Sequence, residues 1–398
     1  MISQGTFDYC VVGGGVAGMT VARTLAMRGE RVLITERDLC GAGASTAAAG
    51  MLAPLVEARL SERNLVEFGR EALARYESLL RPLERESGID CDYRTEGTLA
   101  VAVDRDHLVW LDHFLEEQQA LGLDVERLSS YECRRLEPML SPGVPGGVRS
   151  PHDRQINNRR LLRALRAWLE QSERVTVVEG CGPLLLEDTG GALVLRGADG
   201  VLARAERYIV ATGAWNDVLR GIDPHLARAL MPVKGQVLRL DQTHFPVIGR
   251  VIRSPEMYMA PKSDGSVVLG ATSEDRGFDP HVTAGAVFEL LRAAWEAVPA
   301  VVELPLVETR VGYRPATLDH LPVLGLTRDA RVAVAGGYYR HGILFGLLAA
   351  EILVDHLVEG SSSPWLDIFS PSRFNTDGAD DHTARERNST LQHGTHGA

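Results

Sequence analysis

Apolar residues in this chain come in short blocks that end at glycine. The first block, Phe7 to Val12, runs into Gly13-Gly14-Gly15, and a stretch of small and apolar residues, Val16 to Ala26, follows. That pattern predicts a buried strand, a tight turn and a helix. Gly29 is placed to end the helix, and Arg31 to Thr35 reads as a second strand closed by Glu36. Leu65, Phe68, Ala72, Leu73, Tyr76, Leu79 and Leu80 recur at helical spacing and predict an amphipathic helix over 64–86. An extended segment over 93–103, a helix over 105–121 and a shorter helix over 129–140 come next, the last stopped by Pro142, Gly143 and Pro145. Asn158 to Glu170 is a basic amphipathic helix with Leu161, Leu162, Leu165 and Leu169 on one face. Val175 to Val178 and Arg207 to Val210 are strands, with a hairpin-like region between them. From Met231 to Val307 the extended pattern dominates, at Gln236–Leu240, Met257–Ala260 and Ser266–Gly270, and predicts an antiparallel sheet. A last strand, Val332 to Ala335, enters Gly336-Gly337 before an apolar helix over 342–357.

Three glycines turn this pattern into chemistry. Gly13, Gly15 and Gly18 fall on G-x-G-x-x-G between the first strand and the first helix. The first glycine makes the tight turn, the second lets backbone approach a pyrophosphate, and the third lets helix and strand pack closely. The helix N-terminus adds free N–H groups and partial positive charge. Glu36 lies about 20 residues further on, where a carboxylate accepts the hydroxyls of an adenosine ribose. Gly41 to Pro54 is then poor in side-chain bulk. Such a run permits close approach to a large flat group, or close packing of a helix on a sheet; its place directly after Glu36 favours the cofactor. NAD and FAD share this start. FAD is favoured by the small-residue run and by two later turns, Thr212-Gly213 and Gly336-Gly337, that return strand ends to the cofactor. No second G-x-G-x-x-G opens a helix and no Cys-x-x-Cys is present, which disfavours a nicotinamide-dependent disulfide reductase.

Composition narrows the partners. The 398 residues suffice for one large or two medium domains, and a net charge of −11 argues against nucleic acid or an anionic membrane surface. The start lacks a basic and apolar leader pattern, and five scattered cysteines form neither a disulfide framework nor a zinc pattern. A cytoplasmic location is expected. The polar stretch 375–398 is expected to be disordered.

Taken in order, Gly13–Gly18, Ala47–Leu52, Pro232–Gln236, Gly270–Asp275, Arg314-Pro315 and Arg340–Leu344 resemble the FAD-dependent D-amino-acid oxidase superfamily, and within it the glycine oxidase branch of thiazole biosynthesis. The resemblance implies an α/β fold: a Rossmann-type FAD-binding domain with an interleaved α+β substrate domain built on an antiparallel sheet. The FAD domain would comprise 1–60, 150–225 and 310–370, and the substrate domain 61–149 and 226–309. Besides Gly13, Gly15 and Gly18, it implies FAD contacts from Val16, Ala17, Glu36, Arg37, Ala44, Ser45, Ala49, Gly50, Met51, Leu184 and Gly213. It adds the segment Gly337, Tyr338, Tyr339, Arg340, His341, Gly342, Ile343 and Leu344. Arg314 matches the arginine that holds a substrate carboxylate, Tyr258 the tyrosine that shares it, and Arg340 and Met51 stand beside the reacting centre. The implied reaction is hydride transfer from the amine Cα–H to flavin N5, imine hydrolysis, and reoxidation by O2 giving hydrogen peroxide, with no protein acid or base required. FAD is expected to be non-covalent, since no cysteine follows Cys181 and the first histidine is His107. Tyr313, Tyr338, Glu256 and Met257 depart from the family pattern and leave the substrate open among glycine, other small amino acids, secondary amines and specialised amines. Two rivals stand beside this: a dehydrogenase passing electrons to a quinone or partner subunit, as in the similar hydrogen cyanide synthase subunit, and a flavin-binding subunit without turnover. A homo-oligomer is compatible with all of them.

Overall fold

Two sheets organise the computed structural model, which describes residues 6–54, 62–215 and 219–374. The stretch 375–398, expected to be disordered, lies outside the described residues. In the first sheet, Val175–Val178, Val32–Thr35, Thr6–Val12, Gly200–Val210 and Val332–Gly336 lie side by side and parallel. Parallel strands are covered on both faces, which explains their unbroken apolar runs. Val32–Thr35 and Val332–Gly336 are buried at every position.

One face of this sheet packs against the helices Val16–Met27, Asn158–Gln171 and Gly342–Glu359, with Arg63–Ser87 laid over the last two, and their Met19, Leu25, Phe68, Tyr76, Leu165 and Phe345 share one core. The other face is covered by the antiparallel strands Leu184–Asp188 and Leu193–Gly197.

The second sheet has eight strands in the order Leu306–Thr317, Leu230–Asp241, Ser266–Gly270, Tyr258–Pro261, Val251–Arg253, Thr98–Val101, Gly146–Ser150 and Glu126–Ser129. All neighbours are antiparallel except Val251–Arg253 and Thr98–Val101. One face buries Leu238, Leu240, Met259 and Leu269 against the helix Ala284–Ala297. The opposite face turns towards the first sheet through a small cluster of Ala49, Val237, Val251, Ala260 and Val268.

Two segments sit differently from their neighbours in sequence. The range 310–370 was expected with the nucleotide sheet, yet Leu306–Thr317 pairs with Leu230–Asp241 along its length. The range 61–149 was expected on the substrate side, yet the Arg63–Ser87 helix shares the core of the first sheet. Its Tyr76 hydroxyl donates to the Ile343 carbonyl at 3.1 Å.

Candidate active site

Between the two sheets lies a cavity of about 540 Å³. It is bordered by the glycine turn and Glu36 at one end, and by Tyr258 and Arg314 at the other.

At the first end the glycine positions are dictated by contact. Gly13 has φ +114°, and a Cβ on Gly18 would lie 1.8 Å from the Gly13 carbonyl oxygen. The helix that follows starts at Gly15 without a side-chain cap, so its first-turn N–H groups face the cavity. One of them, from Val16, donates to Ser45 Oγ at 3.0 Å. The short helix Ala44–Ala47 that carries Ser45 is itself held by Asn158, whose Nδ2 donates to the Ser45 carbonyl at 2.7 Å. Glu36 is fixed at the edge, accepting from the Gly14 N–H at 2.6 Å and the Asp38 N–H at 3.0 Å. Beside it, the Arg37 guanidinium lies 4.6 Å over the Trp215 ring. Trp215 stacks on Phe278 at 5.3 Å and meets Tyr313 edge-on at 5.5 Å.

At the other end, two further glycines serve as seats. The Arg314 guanidinium lies over Gly235, where a Cβ would come within 2.6 Å of its Nη1. Its Nη1 donates to the Thr272 carbonyl at 3.0 Å. The Tyr258 hydroxyl lies over Gly270, where a Cβ would come within 2.5 Å of it. Both groups therefore lie flat on the sheet and face the space above it. Arg340 pairs with Glu62 at 3.0 Å, and its guanidinium stands 5.4 Å from the Tyr339 ring. Tyr338 is buried, its phenol pushed up by burial alone.

Of the residues singled out from sequence, Gly13, Gly15, Val16, Ala17, Glu36, Arg37, Ala44, Ser45, Ala49, Gly50, Met51, Leu184, Gly213, Tyr258, Arg314, Tyr338, Tyr339, Arg340, Gly342 and Ile343 border the cavity. Gly18, Gly337, His341 and Leu344 stand behind its wall: Gly337 against Thr317 and Val323, Leu344 in the first core, and His341 capping the last long helix. Arg253, Thr212, Trp215, Gly235 and Ser273 also border it and were not assigned a contact from the sequence. Gly235 and Ser273 lie inside the quoted Pro232–Gln236 and Gly270–Asp275 motifs and Thr212 inside the Thr212-Gly213 turn, signals that could have found them.

A parallel nucleotide-type sheet facing an antiparallel sheet, with an arginine and a tyrosine at the far end of their shared cavity, defines a dinucleotide-dependent oxidoreductase. The chain belongs to the DAO family, the FAD dependent oxidoreductases, whose model matches residues 8–356. It is 34% identical over 379 residues to the bifunctional protein ThiO/ThiG of Trichormus variabilis, an alignment covering 93% of this chain and 55% of that protein. It thus spans about half the length of that relative. Glycine oxidase of Geobacillus kaustophilus is 33% identical over 354 residues, covering 87% of this chain and 93% of the relative. The crystal structure of glycine oxidase from Geobacillus kaustophilus superposes with a TM-score of 0.85, over 94% of this chain and all of that one.

The residues present suit the family's cofactor. Thr212 Oγ1 and the Tyr338 hydroxyl are buried at the cavity wall with no hydrogen-bond partner among the described residues. A buried hydroxyl left in that state is costly, and a polar ligand relieves it. Among the described residues no group of His, Cys, Asp and Glu could hold a metal ion, and no helix is long and apolar enough to cross a membrane.

Proposed function

We propose that the chain is a flavin-dependent oxidase of a small amino acid or amine bearing a carboxylate. The observation that carries this is the pair Arg314 and Tyr258, seated on Gly235 and Gly270 and facing the cavity that begins at the G-x-G-x-x-G turn. FAD would lie between Glu36 and the Tyr338–Ile343 segment, held non-covalently, and supplies the two-electron acceptor. Arg314 fixes the carboxylate as a planar fork, which sets orientation as well as charge. Tyr258 donates a further hydrogen bond to the same group. The two together leave the amine end of the substrate pointing at the first sheet. The N-terminus of the Gly342–Glu359 helix adds partial positive charge where a reduced ring gathers negative charge. No side chain is assigned as acid or base. The antiparallel sheet that carries Tyr258 and Arg314 acts as the substrate side, with O2 as the electron acceptor and the cytoplasm as the location.

The test is anaerobic bleaching of the FAD-loaded protein with glycine, sarcosine, D-alanine and simple amines, followed by admission of air. Bleaching by at least one carboxylate-bearing amine, then reoxidation with hydrogen peroxide release, is expected. Bleaching that is reversed only by an artificial acceptor would move the protein to the dehydrogenases. No bleaching by any of the panel would overturn the assignment.

A further inference from the structure

We propose that Lys234 is a positioning residue for the carboxylate clamp: it ties the segment 272–283 to the second sheet, so that Arg314 rests on a neutral carbonyl with its charge left for a ligand. This rests on the reading of Arg314 given above and adds what sets that side chain in place. Lys234 and Glu274 fall in two motifs singled out from sequence, Pro232–Gln236 and Gly270–Asp275, and neither borders the cavity. Lys234 is fully buried on the strand Leu230–Asp241, next to Gly235, the seat of Arg314. An ammonium removed from water is costly unless it is paired and hydrogen-bonded. Here its Nζ donates to Asp279 Oδ2 and to the His281 carbonyl, each at 2.7 Å, and lies 3.7 Å from Glu274 Oε2. All three partners belong to one segment, the link between the strand Ser266–Gly270 and the helix Ala284–Ala297. The backbones join as well: the Lys234 N–H donates to the Glu274 carbonyl at 3.0 Å, and the Glu274 N–H to the Lys234 carbonyl at 2.9 Å.

The same segment carries the group on which Arg314 rests. The Arg314 Nη1 donates to the Thr272 carbonyl, two residues before Glu274. Thr272 is fixed through its own side chain, whose Oγ1 accepts from the Gln236 N–H at 2.9 Å and donates to Glu274 Oε1 at 2.5 Å. Gln236 Nε2 donates to that same carboxylate oxygen at 2.7 Å, and Gln236 Oε1 accepts from the Thr283 N–H at 2.8 Å. Between these ties, the Tyr313 hydroxyl donates to the Phe278 carbonyl at 3.1 Å.

Charge explains why the anchor is a lysine. The segment holds three acids, Glu274, Asp275 and Asp279, and Asp275 is exposed. Lys234 engages the other two, joined at Glu274 by Arg276 at 3.6 Å and at Asp279 by His281 at 2.7 Å. Among the described residues Arg314 forms no ion pair. Without the ammonium, Glu274 loses a countercharge, and a carboxylate two residues from the Thr272 carbonyl then competes with the ligand for the guanidinium.

The experiment titrates the FAD-loaded protein with glycolate, a carboxylate of glycine's size that lacks the amine, and follows heat and flavin absorbance. It compares the native protein with Lys234→Met, Arg314→Ala and the double variant. Lys234→Met should weaken glycolate roughly 10-fold, within the worth of a hydrogen bond to a charged group. In the Arg314→Ala background it should weaken it no further, because the lysine acts through that arginine. In turnover of an amine that bleaches the flavin, the loss should fall on KM rather than kcat. Asp279→Ala, at the outer end of the same ion pair, should give a smaller loss in the same direction, and it carries the test if Lys234→Met does not fold. Native affinity in both variants, or a Lys234→Met loss that adds in full to that of Arg314→Ala, would overturn the positioning role while leaving the oxidase standing. Native affinity in Arg314→Ala, or no glycolate binding by the native protein, would remove the carboxylate anchor itself and this proposal with it.

Discussion

Arg314, proposed to hold the carboxylate, would work through its length and its flat end, and the residue beneath it has to be small. Replacing Gly235 by Ala puts a methyl 2.6 Å from the Arg314 Nη1. The obstacle is the tip of a long side chain, so the guanidinium moves and the fold stays. Gly235→Ala should therefore raise KM for the carboxylate substrate about 10-fold with little change in thermal stability, whereas Arg314→Ala should raise it about 100-fold, with flavin retained in both. Substrate titration of the two variants checks the order, and an unchanged KM in Arg314→Ala would take that residue out of the site. Lys262 acts on the opposite wall. It is fully buried, and its Nζ donates to Gln155 Oε1 and the Ile156 carbonyl, each at 3.0 Å. Ile156 in turn donates to the Gly50 carbonyl at 2.8 Å, and Gln155 pairs with Met51, so the ammonium braces the backbone that borders the cavity. Burial pulls its pKa down from 10.5 to about 7. Between those values the unfolded chain holds a proton that the native chain has released, so stability rises with pH across that window. Below about 7 both states are protonated and the slope vanishes. Lys262→Met removes this contribution, and the native protein should gain thermal stability on the variant between pH 7 and pH 10. Parallel melting curves at three pH values read that difference directly; the carbonyls stripped of their donor shift the variant by a pH-independent amount.

Strand and helix meet most closely at the start of the chain, and that is where the sequence was most legible. The apolar block, the spaced glycines, the small-residue helix and the acid after the second strand each have a local cause, and all stand where the pattern put them. Gly18→Ala tests the closeness itself. Its methyl would fall 1.8 Å from the Gly13 carbonyl oxygen, and neither backbone can yield without opening the helix from the sheet. A loss of about 1–3 kcal/mol is expected, with reduced flavin content per polypeptide. Thermal unfolding and flavin absorbance give both numbers; a stable variant with full flavin would mean that the helix can slide. The second sheet was less legible. Its strands Tyr258–Pro261 and Ser266–Gly270 follow from alternation, but Leu306–Thr317 does not, because Glu308, Thr309, Arg310, Tyr313 and Arg314 interrupt any apolar rhythm. That strand owes its place to pairing with Leu230–Asp241, a long-range partner that no local pattern records. The same reason hid the meeting of Trp215, Phe278 and Tyr313, which are distant in sequence and come together only once the two sheets face each other. Arg253 was invisible for a further reason: one arginine at the end of a three-residue strand looks like any surface charge until the register is known.

Among the described residues, large apolar cores lie on both faces of the first sheet and under the second, with only a small cluster around Val237 and Ala49 between the two sheets. What joins the halves is mostly polar: Arg159 to Glu308 at 2.8 Å, Arg94 to the Pro261 and Gly249 carbonyls, and Lys262 to Gln155 and Ile156. Arg159, by its hydrogen bond, holds the Glu308 carboxyl down at about 2, so that pair stays ionised through the neutral range. Pairs of this kind fix orientation but contribute little net free energy. A ligand lying along the cavity touches both halves and adds what the interface lacks. Binding to the native state alone stabilises by about 4 kcal/mol when free ligand exceeds Kd a thousand-fold. Stripped protein should therefore melt roughly 5 °C below the FAD-loaded form. ADP offers a sharper comparison, because on the proposed placement of FAD it would occupy only the Glu36 end. It should recover a minor part of the shift, with the remainder requiring the isoalloxazine ring against Tyr338 and the second sheet. Melting curves of the stripped protein with saturating ADP, FMN and FAD distinguish the cases. If ADP alone gives the full shift, the ring adds nothing to the joint and the two halves are held by their own polar contacts.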